Sequence, residues 1–470
     1  MIKGANVIVI KSGGEVNGSR QLLTNVVSAI RCYLSRGFCV VQVVSAPDGA
    51  TDLLKEAVRC RIEDNDDVRV EAAQRAVRDR YVRWLQELAL SREVFRRLHE
   101  ELDELVLVDS DLRGLADKRR IPELMDRALA LGEKMAAKVV AAFLNGQDVD
   151  ARACDVSRGA LATNDRFGDA DPHPEAYDRL RNVIADFFHH GAVPVVTGFI
   201  GCTFDGGCVT TLGRSGTDYT ATIVASALGE STRRVEIWKK DPLSTGDPRK
   251  IPETVLLSVL NYEQASELAA GGMKAVHPRA VKPLREHGIP LIIRSAACPL
   301  MRGTRIHACQ GSNGIAGVAL LRGQVLITLS SESMVDAPGP LAEGARALQE
   351  SGLDIGLVSS GWGRFSFSTH GREVGKVLSL FPTGLAVQTE PDCAIVTVVG
   401  SWRGVTPRVL ARVMDALDRA HVVVHSHSMA GGIAASVPAV SCQIVVPDTQ
   451  AELAARAIHR ALFKNKARSR

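Results

Sequence analysis

This 470-residue chain contains no CxxC pair; its ten cysteines are scattered, with Cys202 and Cys208 six positions apart. That excludes a zinc ribbon and suits reduced thiols better than a disulfide framework. No apolar run reaches the roughly 20 residues of a membrane span, so no membrane partner is expected. The start, MIKGANVIVIKSGG, enters a strand-like run directly and carries no signal-peptide pattern, which points to a cytoplasmic protein. An excess of one charge is also missing. Lys and Arg total 57 against 53 Asp and Glu, leaving +4 with both signs mixed, which argues against a nucleic-acid partner. The basic end KNKARSR reads as a solvated tail. Histidines occur as HPH, HH and HSH without HExxH spacing, and no Ser/His/Asp set is apparent, so no residue is assigned to a metal.

What is present is an ordinary globular composition, 46% apolar and 23% charged, long enough for two or three domains. NVIVI is a continuous apolar run of the kind buried in a parallel sheet. QLLTNVVSAIRCYLSRG repeats apolar residues at Leu23, Val27, Ile30 and Leu34, a helical period that Gly37 ends. FCVVQVV supplies a second strand, so a right-handed strand–helix–strand unit is expected. From about 65 to 145 the chain is highly charged, with apolar positions at Tyr81, Leu85, Leu88, Phe95, Leu98, Leu102 and Leu105, which predicts inserted amphipathic helices. Strand-like runs return at AVPVVTGF, RRVEIW and IPLIIRS, so residues 1–305 read as one α/β domain. Beyond about 310 a small β-α-β pattern occurs twice. It runs through QVLITLS, PLAEGARALQESG and LDIGLVSS, then AIVTVVG, RVLARVMDALDRA, HVVVHSHS, VSCQIVVP and AELAARAIHRALF.

Four loops follow strands of the α/β domain. KSGGEVNG, Lys11–Gly18, has glycines that let backbone N–H groups approach a phosphate, though not at P-loop spacing. VVSAPDGATD puts Ser45 and Thr51 where a crevice would open, or else Thr51 or Asp52 caps the next helix. TTLGRSGTDYTA has Gly213 and Gly216, Thr217 as a candidate N-cap, and Arg214 four residues before Asp218. Arg214 could grip a carboxylate, or form an ordinary surface pair with Asp218. STGDPRKIP and GGMKAVHPRAV add Arg249 and Lys274. Four such loops on one α/β domain suit a nucleotide phosphate beside a small anion.

In this order the motifs resemble the aspartate kinases of the amino acid kinase superfamily over nearly the whole chain. KSGG parallels KFGG, VVSAPDGATD parallels VVSAxxGxTD, and TTLGRSGTDYTA parallels TTLGRGGSDYTA; TNDRFGDA, VTGFIG, VEIW, TGDPR and ELAAGGMKAVHPRAV follow suit. The resemblance implies an α/β amino-acid-kinase sandwich with a mostly parallel central sheet, followed by two ferredoxin-like α+β ACT modules at 312–388 and 389–470, possibly interleaved. It implies transfer of the ATP γ-phosphoryl group, with Mg²⁺, to the β-carboxylate of L-aspartate, in a homodimer or higher homo-oligomer. By the same resemblance Lys11 neutralises the transferred phosphoryl group, with N–H donors from Gly13 and Gly14. Ser45, Thr51 and Glu133 line the aspartate pocket, Arg214 clamps the α-carboxylate and Asp218 orients the site. Lys240, Asp241, Ser244, Arg249 and Lys274 fall to the nucleotide. Met334, Val335 and Asp336 occupy the loop where an amino-acid effector would bind.

The chain departs from the family pattern at three places. KFGGTS reads KSGGEV, introducing Glu15 and Val16. WTDVDGVYTADPR reads WKKDPLSTGDPR, bringing in Lys239, Lys240 and Ser244. A Ser-His pair before Glu133 is replaced by Ala130 and Leu131. Two alternatives stay open on these grounds: a kinase for another amino-acid carboxylate, or a non-catalytic amino-acid-sensing partner subunit.

Overall fold

The computed structural model describes residues 6–64, 67–102, 118–273, 275–308, 314–330, 346, 348, 355–361, 364–380, 386–401, 406–431 and 440–463. They form two compact units. The first joins Met1–Pro242 to Arg279–Ala308, and the second joins Leu243–Pro278 to Cys309–Arg470.

The first unit is built on β1 (Val7–Ser12), β2 (Cys39–Val44), β3 (Ala151–Cys154), β4 (Ala162–Thr163), β5 (Val193–Thr197), β6 (Ile200–Thr203), β7 (Val209–Thr211), β8 (Thr232–Lys239), β9 (Leu291–Ser295) and β10 (Thr304–Ile306). Seven of these lie side by side as β3-β5-β2-β1-β8-β9-β10. Every neighbouring pair is parallel except β9 with β10. The central strands are β-branched runs, and Val7 to Ile10 are wholly buried, as a parallel sheet covered on both faces requires. Lys11 pairs with Val43 and Ser12 with Val44, so β1 and β2 end together. Their following loops therefore open on the same edge of the sheet, where ligands of such sheets bind.

The expected helix after β1 is Arg20–Ser35, capped by the Ser19 hydroxyl and followed by Gly37 at φ +78°. The charged insertion forms helices Asp67–Leu88 and Arg92–Glu101, which bury Tyr81, Leu85, Leu88 and Leu98; Leu105 lies outside the described residues. Trp84 of the first is fully buried, and its indole N–H donates to the Asn17 carbonyl at 2.7 Å. A small sheet, β4-β6-β7, delivers the TTLG segment to the same edge.

The second unit carries β11 (Gly314–Ser330), β12 (Ile355–Gly361), β13 (Arg364–His370), β14 (Ala386–Ser401), β15 (Ser426–Gly431) and β16 (Val440–Pro447), all antiparallel in the order β12-β13-β11-β14-β16-β15. Helices Thr406–Arg419 and Ala451–Phe463 lay Val413, Leu417, Ile458 and Phe463 against Val396, Val398 and Ile444 of the sheet. The HVVVHSHS run is not a strand from its start. His421 turns the chain at φ +52°, Val422 packs into the core, and pairing begins only at Ser426. The STGDPR segment also belongs to this unit. Thr245 Oγ1 lies 2.9 Å from His459 Nε2, Arg456 donates to the Lys250 carbonyl at 2.5 Å, and Arg460 meets Glu253 at 2.6 Å.

Candidate active site

The loops that end β1 and β2, helix Ile121–Asn145, and the start of helix Gly216–Leu228 border an open cavity of about 260 Å³. It is lined by Lys11, Ser45, Thr51, Glu133, Phe199, Gly213, Ser215, Gly216, Thr217 and Asp218. Five sequence-derived candidates, Lys11, Ser45, Thr51, Glu133 and Asp218, thus come together although they span more than 200 positions of chain.

Lys11 is the penultimate residue of β1, and its Nζ stands 2.8 Å from Asp218 Oδ1, with both side chains about nine-tenths buried. In such surroundings the pair is only weakly screened, and removing one partner would strand the other's charge. Asp218 lies in the first turn of helix Gly216–Leu228, where a carboxylate also complements the helix dipole. The helix begins at Gly216 after Ser215, which sits in the left-handed region at φ +58° and offers no side-chain cap. Thr217, a candidate cap in the sequence, therefore falls inside the first turn and faces the cavity. Phe199, another lining residue, is also left-handed, at φ +69°. Two non-glycine residues in that region on one cavity wall are costly backbone that only the surrounding packing can hold.

Thr51 has a similar history. The helix after β2 begins at Ala50, behind Gly49 at φ +81°, so Thr51 sits inside its first turn and lines the cavity. The Gly13–Gly14 turn presses on the β2 loop. A Cβ at Gly14 would come 2.5 Å from the Ala46 carbonyl, a contact no side chain tolerates.

Glu133 is almost completely buried. Burial pushes its carboxyl up to about 8, against the opposing pull of the Ala46 N–H at 3.0 Å, the Lys11 charge and the Ser45 hydroxyl. An empty pocket thus favours the protonated form at neutral pH, and an arriving ammonium group would favour the ionised one. Glu133 is held by its own helix, where Gly132 lies so close to Tyr81 that a Cβ would meet its hydroxyl at 2.8 Å.

Arg214 is exposed between the lining residues Gly213 and Ser215, and its own side chain does not line the cavity. Lys240 and Asp241 follow β8 and are exposed, and Lys240 Nζ lies 3.7 Å from Glu15 Oε1. Two of the three charges that break the family pattern, Glu15 and Lys240, therefore face each other. Ser244 and Arg249 fall in the second unit; Ser244 is buried, and Arg249 forms a two-pronged pair with Asp247 at 3.0 and 2.9 Å. Lys274, Met334, Val335 and Asp336 lie outside the described residues.

Three residues that sequence reasoning passed over organise the site. Asp126, buried in helix Ile121–Asn145, accepts from Gly168 N at 2.9 Å, Thr211 N at 2.8 Å and Thr211 Oγ1 at 2.7 Å, fixing the end of β7. Its burial raises its carboxyl while those three bonds hold it down. Arg279 binds Asp169, Asp171, the Ala170 carbonyl and the Leu212 carbonyl, and stacks 4.9 Å over the Tyr219 ring. It ties the TNDRFGDA loop to the start of the cavity helix. Asn17, behind Lys11, ties the end of β1 to the Ser45 carbonyl beyond β2. Arg279 lies within ELAAGGMKAVHPRAV and Asn17 within KSGGEVNG, whereas Asp126 lies in none of the motifs.

A lysine–aspartate pair at a strand end and an uncapped helix start on one cavity can hold a small anion. The family model for the amino acid kinase family matches residues 6–295, and the chain belongs to that family. Its relatives narrow this further. It is 30% identical to an aspartokinase of Thermus thermophilus over 81% of this chain and 94% of that protein. It is 26% identical to aspartokinase 1, chloroplastic, of Arabidopsis thaliana over 97% of this chain and 80% of that one. The fold superposes on a crystal structure of Escherichia coli aspartokinase III in complex with aspartate and ADP with a TM-score of 0.79 and 25% identity, covering 97% of this chain and all of that one. Within the amino acid kinases, the chain belongs to the aspartokinases.

Proposed function

We propose that the cavity is where this aspartate kinase holds L-aspartate for transfer of the ATP γ-phosphoryl group to its β-carboxylate, giving 4-phospho-L-aspartate. The observation that carries this is the Lys11–Asp218 pair, 2.8 Å apart and shielded from water, in one cavity with the buried Glu133. A β-carboxylate is already ionised at neutral pH and needs no general base. What the reaction needs is alignment and positive charge on the phosphoryl oxygens. Lys11 supplies the charge, Asp218 aims it, and the Gly13–Gly14 turn offers backbone N–H groups. Glu133, assisted by Ser45 and Thr51, takes the substrate ammonium. The α-carboxylate meets the start of helix Gly216–Leu228, with Arg214 closing over it from the exposed loop.

Mg²⁺ would arrive on the ATP phosphates and would supply positive charge there beyond that of Lys11, which already faces Asp218. Lys240, Asp241, Ser244, Arg249 and Lys274 form the nucleotide side of the reading. The C-terminal residues act as paired ACT modules that carry self-association and an effector site around Met334–Asp336; sedimentation and activity with and without lysine or threonine test that part. The principal test is trapping of the acyl phosphate with hydroxylamine. Purified protein with ATP, Mg²⁺ and millimolar aspartate is expected to yield aspartyl hydroxamate. No product with aspartate would overturn the reading, and product only with another acidic amino acid would replace the substrate.

A further inference from the structure

Behind Lys11 lies a buried polar cluster that the reaction does not use. Ser12, Asn17 and Gln42 are all fully buried. Asn17 Nδ2 donates to two backbone carbonyls, that of Ser12 at 3.1 Å and that of Ser45 at 2.8 Å. Its Oδ1 accepts the Ser12 hydroxyl, whose oxygen in turn accepts Gln42 Nε2 at 2.7 Å. The Asn17 carbonyl is held by the Trp84 indole N–H. The β1–β2 ladder ends at Ser12 and Val44, so Asn17 acts as one more rung beyond the last backbone pairing. One side of that rung is the residue after Lys11. The other is Ser45, whose hydroxyl and whose neighbour's N–H both bind Glu133.

We propose that Asn17 is a positioning residue that sets the separation between Lys11, at the phosphoryl end of the bound aspartate, and Glu133, at its ammonium end. This rests on the aspartate-site reading above. Binding groups on each side survive its loss, but their spacing does not, so substrate is bound and misaligned. Misplacement of about 1 Å costs on the order of a hundredfold in rate.

The test uses the full chain with Asn17→Ala and Asn17→Asp. The aspartate keeps the volume and the acceptor for Ser12 but loses the donor to both carbonyls, and it carries the test if the alanine variant does not fold. Tyr33→Phe, which removes a buried hydrogen bond to Glu236 elsewhere in the unit, is the stability control. The Asn17 variants are expected to lose about 10- to 100-fold in kcat with both KM values within about threefold. Tyr33→Phe should lower Tm comparably with kcat within about twofold. An Asn17→Asp enzyme turning over within about twofold of the parent overturns the inference, as does an equal kcat loss in Tyr33→Phe at matched Tm. The parent's own hydroxamate activity separates the two levels: an active parent with unaffected Asn17 variants sinks this inference alone, and an inactive parent sinks both.

Discussion

The two ends of the candidate site are built on different electrostatic terms. At the proposed amino-acid end the charges are enclosed: Lys11 and Asp218 are about nine-tenths buried and Glu133 nearly wholly so. At the proposed nucleotide end Lys240 and Glu15 are half exposed, 51% and 53%, and stand 3.7 Å apart. Water screens the second pair and scarcely touches the first. A buried charge cannot change without penalty, whereas an exposed one drifts cheaply, and two of the departures that carry charge, Glu15 and Lys240, are exposed. Because Glu15 and Lys240 have opposite signs and face each other, those two changes offset one another.

This contrast can be broken by experiment. The largest effect is expected from Lys11→Met, about a thousandfold loss of kcat with the fold retained, since it removes the enclosed cation aimed at the phosphoryl group. Next comes Asp218→Asn, about a hundredfold, because Lys11 keeps its charge and loses its aim. Titration of Glu133 gives a smaller, directional signature. Its carboxyl is raised to about 8, so the empty site is mainly protonated below that pH and must release a proton when the ammonium binds. KM for aspartate should therefore fall as pH rises, severalfold between about pH 7 and 8.5, and level off above. Calorimetry in buffers of different ionisation heat should register the released proton, and Glu133→Gln should abolish both effects. The smallest change is expected for Glu15→Gln and Lys240→Met, at most about fivefold in KM for ATP and shrinking with salt. A Lys240→Met loss matching that of Lys11→Met would end the distinction between the two sides.

Much of this was legible in the chain. The buried run at Val7–Ile10 and the helical period ended by Gly37 follow from patterning, and the clustering of Lys11, Ser45, Thr51, Glu133 and Asp218 from the family resemblance. Asn17, Asp126 and Arg279 were not legible, for a common reason. Each works by binding backbone or carboxylates distant in sequence, 28 residues away for Asn17, 85 for Asp126 and 110 for Arg279. A polar residue inside a helix or turn looks the same whether it meets water or a remote carbonyl, and only the fold supplies the partner. The caps at Thr51 and Thr217 misled in a related way: glycine and a left-handed serine start those helices one or two residues earlier, which frees both threonines for the cavity.

The membership of Leu243–Pro278 in the C-terminal unit bears on how such proteins can be recombined. Ile251 belongs to that unit's apolar core, Thr245 is bound to His459, and Gly271 lies so near Ala319 and Thr397 that a Cβ would meet each at 2.9 Å. A chimera joined near residue 305 would graft a foreign C-terminal half onto a segment fitted to this one, and both halves would carry mismatched surfaces. Exchanging Leu243–Pro278 together with the residues beyond 308 would keep that inner fit whole. The natural unit of exchange in this chain is thus discontinuous, and parental pieces should be cut by their shared core rather than by their order along the gene.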